Sequence, residues 1–217
     1  MSYPRVILIG GAPMSGKTTV AYRLAAALGY GCLSADDLGE ALRAVTTKDS
    51  HPHLHPMAGY DDYREYYIAR SRDALIADVS LEHQALWPAI QRVIHKHATW
   101  GTPIVMEGWS LWPERVIQLR LPSVQALWLV AQEETPRDRM GKAGAFYGGA
   151  SDEEAMRQQY LARSFWYNTR LQETVTTFGL PSIAVPLQAP VQAIVAMCLA
   201  QLILFCIQDI TNPRPIG

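Results

Sequence analysis

A glycine-rich segment near the start of the chain has the residue types and spacing of a phosphate-binding loop. Residues 11–18 read GAPMSGKT and fit the pattern GxxxxGK[ST] at every fixed position. In such a loop the backbone N–H groups turn toward phosphate oxygens, and the following helix N-terminus adds partial positive charge. We expect Lys17 to neutralise the β- and γ-phosphates and the Thr18 hydroxyl to hold Mg²⁺. The expected nucleotide-binding residues are Gly11, Ala12, Pro13, Met14, Ser15, Gly16, Lys17, Thr18 and Thr19.

Three acidic residues follow apolar runs that are typical of strands, the place where parallel-sheet proteins position their ligands. Asp36 and Asp37 come after the run Cys32–Ser34, and Glu107 ends the run IVME. An aspartate there could accept the proton of an attacking hydroxyl or hold magnesium through water, although both aspartates could also cap the next helix. Glu107 stands where phosphate-loop proteins carry an acid that acts on the metal. The expected metal ligands are Thr18, Asp36 and Glu107.

The second half of the chain contains a segment rich in arginine and glycine. Arg137 and Arg139 are followed by four glycines before residue 150. This composition predicts a mobile lid over about residues 132–150 that brings positive charge to a transferred phosphate. Together with Lys17, Asp36 and Asp37, the two arginines form the expected catalytic set.

Other arginines and a tryptophan are candidates for binding a second substrate. Arg43 and Arg64 could each grip a carboxylate or phosphate, because a guanidinium binds such groups in a bidentate manner. Trp109 follows Glu107-Gly108 directly and could line the pocket for the phosphoryl acceptor. Arg157 and Arg163 lie on a later helix, where each by itself is more typical of a solvated surface arginine, although the arginines of this half of the chain could equally include a catalytic one. The expected acceptor-binding residues are Asp36, Arg43, Arg64, Glu107 and Trp109.

The composition narrows the class of protein. The chain has 217 residues, of which 49% are hydrophobic and 18% charged, enough to form a core and too few charges for wholesale disorder. A net charge of −1 argues against a protein that coats nucleic acid. Three cysteines without a CxxC pair argue against a disulfide or zinc scaffold. With no signal-peptide pattern at the start, we expect a cytoplasmic protein.

Strand and helix patterns alternate along the chain. Short apolar runs predict strands at 6–9, 32–34, 102–106, 124–131 and 182–185. Amphipathic spacing predicts helices at 17–28, 38–45, 61–76, 81–97 and 152–178, with a loop over 46–59. This order favours an α/β fold with a mostly parallel sheet and helices on both faces.

The C-terminal segment is unusually apolar. Residues 191–207 carry no charge over seventeen positions, which is at the lower edge of what spans a bilayer. Two glutamines interrupt the run and no basic cluster flanks it, so we expect a buried helix or a contact between subunits of a homo-oligomer rather than a membrane segment. The chain would then consist of a main domain, 1–187, and an apolar helix and tail, 188–217.

Four motifs together resemble those of the P-loop small-molecule kinases, most closely the 2-phosphoglycerate kinase type. They are GGAPMSGKTT, SADDLGEALR, IVMEGWSLWPERV and LARSFWYNTR, within about residues 5–187. The resemblance implies an adenylate-kinase-like sheet of five parallel strands, the use of ATP and Mg²⁺, and phosphoryl transfer to a small-molecule acceptor. It matches Lys17 and Thr18 to the nucleotide motif, Asp36 to the acid after the second strand and Glu107 to the Walker-B-like position.

Trp109 and Trp112 depart from this pattern, because smaller or more basic residues would be expected beside a phosphorylated acceptor. The motifs leave three functions open. The first is a kinase for a hydroxyl of a small metabolite, such as the phosphorylated sugar acid 2-phosphoglycerate. The others are a nucleotide-dependent switch that acts on a protein partner, and a nucleoside monophosphate kinase in which Arg43 and Arg64 grip the acceptor.

Overall fold

A sheet of five parallel strands forms the centre of the computed structural model, which describes residues 3–211 and their side chains up to Cys206. The strands are β1 (Val6–Gly11), β2 (Gly31–Ser34), β3 (Ile104–Gly108), β4 (Val124–Ala131) and β5 (Ser182–Val185). Their order across the sheet is β2-β3-β1-β4-β5, and each neighbouring pair is parallel. The predicted α/β fold with five parallel strands is therefore confirmed.

The helices cover both faces of this sheet. They are α1 (Lys17–Leu28), α2 (Ala35–Val45), α3 (Tyr63–Ala69), α4 (Arg72–Thr99), α5 (Pro113–Val116), α6 (Glu134–Lys142), α7 (Gly144–Tyr147), α8 (Glu153–Thr177) and α9 (Val191–Thr211). Short 3₁₀ helices span Pro52–Leu54 and Ile117–Leu119. Buried side chains of α4, α5 and α8 pack on one face, and those of α1 and α9 pack on the other.

The central strand β1 shows why both faces must be covered. Val6 and Leu8 are buried against the α4 and α8 side, whereas Ile7 and Ile9 are buried against the α1 and α9 side. Successive side chains of a strand point to opposite faces, so a continuous apolar run belongs to a strand that is buried twice. Because these strands are parallel, the carboxyl ends of β1, β2 and β3 meet at one edge of the sheet.

The helical region between residues 61 and 99 differs from its prediction. The helical conformation is interrupted near Arg70 and not at 77–80. Helix α4 then runs without interruption from Arg72 to Thr99. Ser71 causes this boundary, since its hydroxyl accepts a hydrogen bond of 3.2 Å from the backbone N–H of Ala74 and so caps α4.

The predicted lid is helical and packed. It consists of α6 and α7, joined at Ala143, and Met140 is fully buried in a cluster with side chains of α3 and α8. The Phe146 ring lies 5.4 Å from the ring of Tyr63 and 4.9 Å from that of Tyr160. These apolar contacts hold the segment against α3 and α8 in spite of its glycines.

The apolar C-terminal segment forms part of the core on the α1 face of the sheet. Ile194, Cys198 and Leu202 of α9 are buried together with Val20 and Leu24 of α1. The helices within the described range include none that is both long enough and apolar enough to cross a membrane. Association through α9 stays a prediction, and the end of the predicted tail, 212–217, lies outside the described residues.

A close approach between β3 and α2 sets the geometry of the sheet edge and yields a first prediction. A Cβ atom placed on Gly108 would lie 2.6 Å from the Cβ of Ala35, the first residue of α2. Gly108→Ala should therefore lower the free energy of unfolding by about 1–3 kcal/mol, because the overpacked pair must separate. Urea denaturation measures this loss.

Gly141→Ala is the matched control for that substitution. A Cβ on Gly141 meets no heavy atom within 4 Å, and alanine is the better residue inside helix α6. This variant should unfold at the wild-type urea concentration or above it. Equal midpoints for Gly108→Ala and the wild type would show that the contact with Ala35 does not constrain the fold.

Candidate active site

The loop between β1 and α1 has the shape of a phosphate cradle. Gly16 caps α1 with a φ of 89°, a left-handed conformation that glycine adopts without strain. Beside the loop lies a cavity of about 430 Å³, lined by residues 14–20, Arg139, Val185, Ala189, Val191 and Ile194. One end of the cavity thus offers backbone N–H groups and cations, and the other offers apolar side chains. This division suits a nucleotide, whose phosphates are anionic and whose base is flat and largely apolar.

Polar side chains of the loop are buried without protein partners. The Ser15 hydroxyl is buried and has no hydrogen-bond partner among the described residues. Lys17 is only 7% exposed, and its charge opposes the rise that burial causes in the pKa values of Asp36 and Glu107. A buried hydroxyl and a buried ammonium at a helix N-terminus indicate a site built for an anion.

Glu107 and Thr18 form the part of the site that suits a metal ion. Their Oε1 and Oγ1 atoms lie 3.2 Å apart, while the second carboxylate oxygen of Glu107 is buried and has no hydrogen-bond partner among the described residues. Burial raises the pKa of Glu107, and the charge of Lys17 opposes that rise. Carboxylate and hydroxyl oxygens are the ligands that Mg²⁺ prefers, so the donor set fits this ion.

Asp36 lies at the start of α2, within electrostatic reach of Lys17. The Ser34 hydroxyl accepts a 3.2 Å hydrogen bond from the backbone N–H of Asp36, which fixes the turn from β2 into the helix. The Asp36 carboxylate is accessible to solvent, yet surrounding protein raises its pKa through desolvation. A side chain that solvent can reach and that protein atoms nevertheless surround lies in a cleft. Asp37, one residue further on, is exposed, and its charge raises the pKa of Asp36 as well.

Of the two predicted lid arginines, the structure brings one to the phosphate loop. Arg139 Nη1 donates a 2.7 Å hydrogen bond to the Met14 carbonyl and lies over Gly16. Arg137 points elsewhere, since it pairs with Glu133 at 2.9 Å and stacks 4.6 Å above the Phe165 ring. The two residues are two positions apart on α6, and such positions face different directions on a helix.

Arg43 and Arg64, the predicted acceptor-binding arginines, already have carboxylate partners. Arg43 pairs with Glu40 and Glu82, each at 2.7 Å. Arg64 pairs with Asp62, also at 2.7 Å, and its Nε donates to the Phe146 carbonyl. Arg43 thus links α2 to α4, and Arg64 links α3 to α7.

The structure instead places Arg163 inside the molecule, contrary to the sequence-based expectation of a surface side chain. Arg163 is 5% exposed, its Nη2 donates a 2.6 Å hydrogen bond to the Tyr67 hydroxyl, and its Nε is buried without a partner among the described residues. Its guanidinium lies over the rings of Trp109, Tyr67 and Tyr160 at 4.7, 4.8 and 5.4 Å from their centres. We call this group of Arg163 and three rings the arginine box.

A helical pattern in the sequence could have revealed the arginine box. Arg163 follows Tyr160 by three positions and precedes Tyr167 by four, so the three residues share one face of α8. All three are buried. An arginine between two tyrosines at this spacing indicates an inward-facing cation, whereas its charge alone suggested a surface residue.

Trp109 connects the arginine box to Asp36. The indole is half-buried and lies near the Asp36 carboxyl, where it opposes the rise in pKa that desolvation causes. The Tyr167 hydroxyl donates to the Trp109 carbonyl, and the buried ring of His83 packs edge-on against the indole at 4.5 Å. Burial lowers the pKa of His83, so this ring is neutral and accepts a 2.9 Å hydrogen bond from the Trp112 indole. Trp109 is thus held rigidly, with Trp112 behind it.

No protein-family model matches the chain. A 2-phosphoglycerate kinase from Methanocaldococcus jannaschii is 28% identical over 113 residues, which are 51% of this chain and 35% of that enzyme. The matched region thus spans about a third of the length of its curated relative.

Solved structures of several kinases superimpose on most of the chain. A gluconokinase from Sinorhizobium meliloti 1021 is 17% identical, with a TM-score of 0.53 and coverage of 99% of this chain and 100% of that one. A sugar kinase from Janibacter sp. HTCC2649 is 19% identical, with a TM-score of 0.54 and coverage of 91% and 94%. A shikimate kinase from Aquifex aeolicus vf5 is 13% identical, with a TM-score of 0.50 and coverage of 93% and 98%.

At these identities the structural matches bear on the fold, and the fold agrees with what the phosphate loop and the strand order already show. The sequence match adds a similarity to one particular enzyme over half of the chain. The chain therefore has the fold of the P-loop small-molecule kinases and resembles a 2-phosphoglycerate kinase among them.

Proposed function

We propose that this protein is an ATP- and Mg²⁺-dependent phosphotransferase that moves the γ-phosphoryl group of ATP to a hydroxyl of a small metabolite. One observation carries the proposal: the phosphate loop and an accessible carboxylate, Asp36, lie at the same edge of the sheet. Lys17 of the loop interacts electrostatically with that carboxylate. A nucleotide-dependent switch needs the loop but has no use for a carboxylate in an adjoining cleft.

Each residue of the site has a role in this reaction. Lys17 and the backbone N–H groups of the loop bind the β- and γ-phosphates, and Arg139 is positioned to add charge from the lid. Thr18 and Glu107 would hold Mg²⁺, which supplies charge neutralisation on the phosphates. Asp36 accepts the proton of the acceptor hydroxyl as its oxygen bonds to the γ-phosphorus, while the bond from that phosphorus to the β–γ bridging oxygen breaks and ADP leaves.

The identity of the acceptor is the finer part of the proposal. The name of the similar enzyme makes 2-phosphoglycerate one candidate. A nucleoside monophosphate gains no support, because Arg43 and Arg64 are engaged by carboxylates of this chain.

An acceptor panel tests the proposed function. Formation of ADP from ATP and Mg²⁺ would be followed with hydroxy acids, phosphorylated acids, nucleosides and nucleotides, and ³¹P NMR would identify the product. We expect one class of acceptor to stimulate turnover and to appear as its phosphate ester. Tight nucleotide binding without stimulation by any compound would contradict the proposal and favour the switch.

The metal role of Glu107 gives a separate prediction. Glu107→Gln should raise the Mg²⁺ concentration needed for half-maximal turnover by about 10–100-fold, because it removes the charge of the buried oxygen donor. A magnesium titration at fixed ATP measures the shift, and Mg²⁺-dependent thermal stabilisation in the presence of ATP gives a readout apart from activity. Glu114→Gln is the control, since Glu114 lies near Arg170, on α5, away from the loop. An unchanged titration in Glu107→Gln would remove this residue from the metal site.

A further inference from the structure

One residue of the phosphate loop has a backbone conformation that costs free energy. Met14 has a φ of 63°, in the left-handed region that glycine enters freely and other residues enter at a cost. In the part of the chain that the structure describes, Arg120 is the only other residue besides glycine with a positive φ. Such conformations persist where surrounding contacts hold them in place. The contacts of Met14 therefore indicate what the loop gains from it.

The left-handed conformation by itself does not require a methionine. In a phosphate loop, a left-handed residue helps successive backbone N–H groups to face the same side, which is the geometry that binds an anion. Glycine at position 14 would adopt the same φ without the cost. The methionine side chain must therefore make contacts that offset the strain of its backbone.

The Met14 side chain connects the phosphate loop to the lid. It packs against a buried cluster to which α3, α4, α6 and α8 contribute side chains, and Phe146 of α7 packs against the same cluster. We call this group the lid cluster; its members are Tyr66, Tyr67, Leu75, Met140, Met156 and Tyr160. Methionine is unbranched and flexible, so it can fill an irregular gap beside these rings. An apolar contact thus joins the loop to the cluster that contains Met140 of α6.

The Met14 carbonyl makes a second connection to the lid. It accepts the 2.7 Å hydrogen bond from Arg139 Nη1, and within the described residues it is the hydrogen-bond partner of that guanidinium. A Cβ atom placed on Gly16 would lie 2.8 Å from the same Nη1 atom, so the guanidinium lies directly against the loop. Met14 and Arg139 also both line the cavity beside the loop. The position of Arg139 at this cavity therefore depends on the direction in which the Met14 carbonyl points.

We propose that Met14 is a positioning residue that holds the phosphate loop and the lid helix α6 together as one unit. Its side chain anchors the loop to the lid cluster, and its carbonyl keeps Arg139 at the nucleotide cavity. Because both contacts must break before the loop and the lid can separate, Met14 slows the release of nucleotide from the cavity. The assignment rests on the proposed function, in which the loop binds ATP, and adds to it the control of nucleotide exchange.

The rate of nucleotide release tests the assignment on the full chain. A fluorescent ADP analogue would be displaced by excess ADP, and the dissociation rate constants of the wild type and of Met14→Gly would be compared. Glycine permits the left-handed backbone but lacks the anchoring side chain, so release should be about tenfold faster. Met14→Leu has a side chain of similar volume and should restore most of the slow release. A rate in Met14→Gly equal to that of the wild type would overturn the proposal.

Leu161→Ala is the matched control for the loss of packing. Leu161 lies on α8 and packs against the lid cluster, as Met14 does, but it belongs to neither the loop nor α6. This variant should release the ADP analogue at close to the wild-type rate. Acceleration in Leu161→Ala as large as in Met14→Gly would show that any weakening of the cluster speeds release, and Met14 would then have no special role.

A double-mutant cycle shows whether Met14 acts through Arg139. Arg139→Ala should itself speed release, since it removes the hydrogen bond to the Met14 carbonyl. Adding Met14→Gly to Arg139→Ala should then change the rate by about threefold or less, because the contact that the side chain supports is already lost. A purely structural role for Met14 would multiply the two effects in full, and that result would also overturn the proposal.

Hydrogen exchange separates this proposal from the proposed function, because it needs no acceptor. In Met14→Gly the backbone amides of α6 should exchange faster than in the wild type, whereas those of the central strand β1 should not change. If no acceptor is phosphorylated, faster exchange in α6 together with faster ADP release would still support the role of Met14 while the phosphotransferase function fails. Unchanged exchange in α6 would overturn the role of Met14 and leave the phosphotransferase function intact.

Discussion

Replacing Lys17 with alanine is expected to lower kcat for phosphoryl transfer by about two to three orders of magnitude. Lys17 is the buried cation at the start of α1, and the charge that develops on the transferred group has no equivalent neutralising side chain in the loop. The loop backbone stays in place, so the variant should still fold. A coupled ADP assay at saturating ATP and acceptor measures the effect on kcat.

A second lysine serves as the control for this loss. Lys142 is exposed at the end of α6 and pairs with Asp138 at 2.6 Å, so Lys142→Ala removes the same charge without touching the loop. Its kcat should equal that of the wild type. Circular dichroism and thermal unfolding would verify that both variants are folded. Normal turnover by a folded Lys17→Ala variant would contradict the assignment of the phosphate site.

The phosphate loop could be predicted from sequence because its geometry is local. Residues 11–18 are contiguous, and the strand before them and the helix after them have clear apolar patterns. The acid after β2 and the acid near the end of β3 could also be predicted, since parallel strands bring their carboxyl ends to one edge whatever lies between them. For these residues chain order and spatial order agree.

The acceptor side could not be derived in the same way, because segments that are far apart in the chain build it. Arg163 on α8 donates a hydrogen bond to the Tyr67 hydroxyl on α3, although the two residues are 96 positions apart in the chain. No local sequence pattern indicates that contact. Arg137 and Arg139 show a different difficulty. The composition of the segment predicted that both are lid cations. Burial of Met140 sets the rotation of α6 about its axis, and this rotation brings Arg139 to the loop and turns Arg137 away from it.

Asp36→Asn is expected to lower kcat/KM for the acceptor by about 10²–10⁴-fold, because an amide cannot take the proton of the reacting hydroxyl. The wild-type carboxylate must be ionised to act. Since burial raises the pKa of Asp36, activity should be lost as the pH falls through that raised pKa, and this acidic limb should be absent in the variant. Profiles of kcat/KM against pH measure both effects, and ATP affinity should stay at its wild-type value.

The neighbouring aspartate makes the pH argument specific to one side chain. Asp37 is exposed, and its charge contributes to raising the pKa of Asp36. Asp37→Asn should therefore keep most of the activity and move the acidic limb to lower pH, because Asp36 then ionises more readily. A large loss in Asp37→Asn with little loss in Asp36→Asn would exchange the roles of the two residues. If both single variants and the double variant transferred phosphate at the wild-type rate, neither aspartate would be the base. The cleft beside the phosphate loop would then have no assigned role in catalysis.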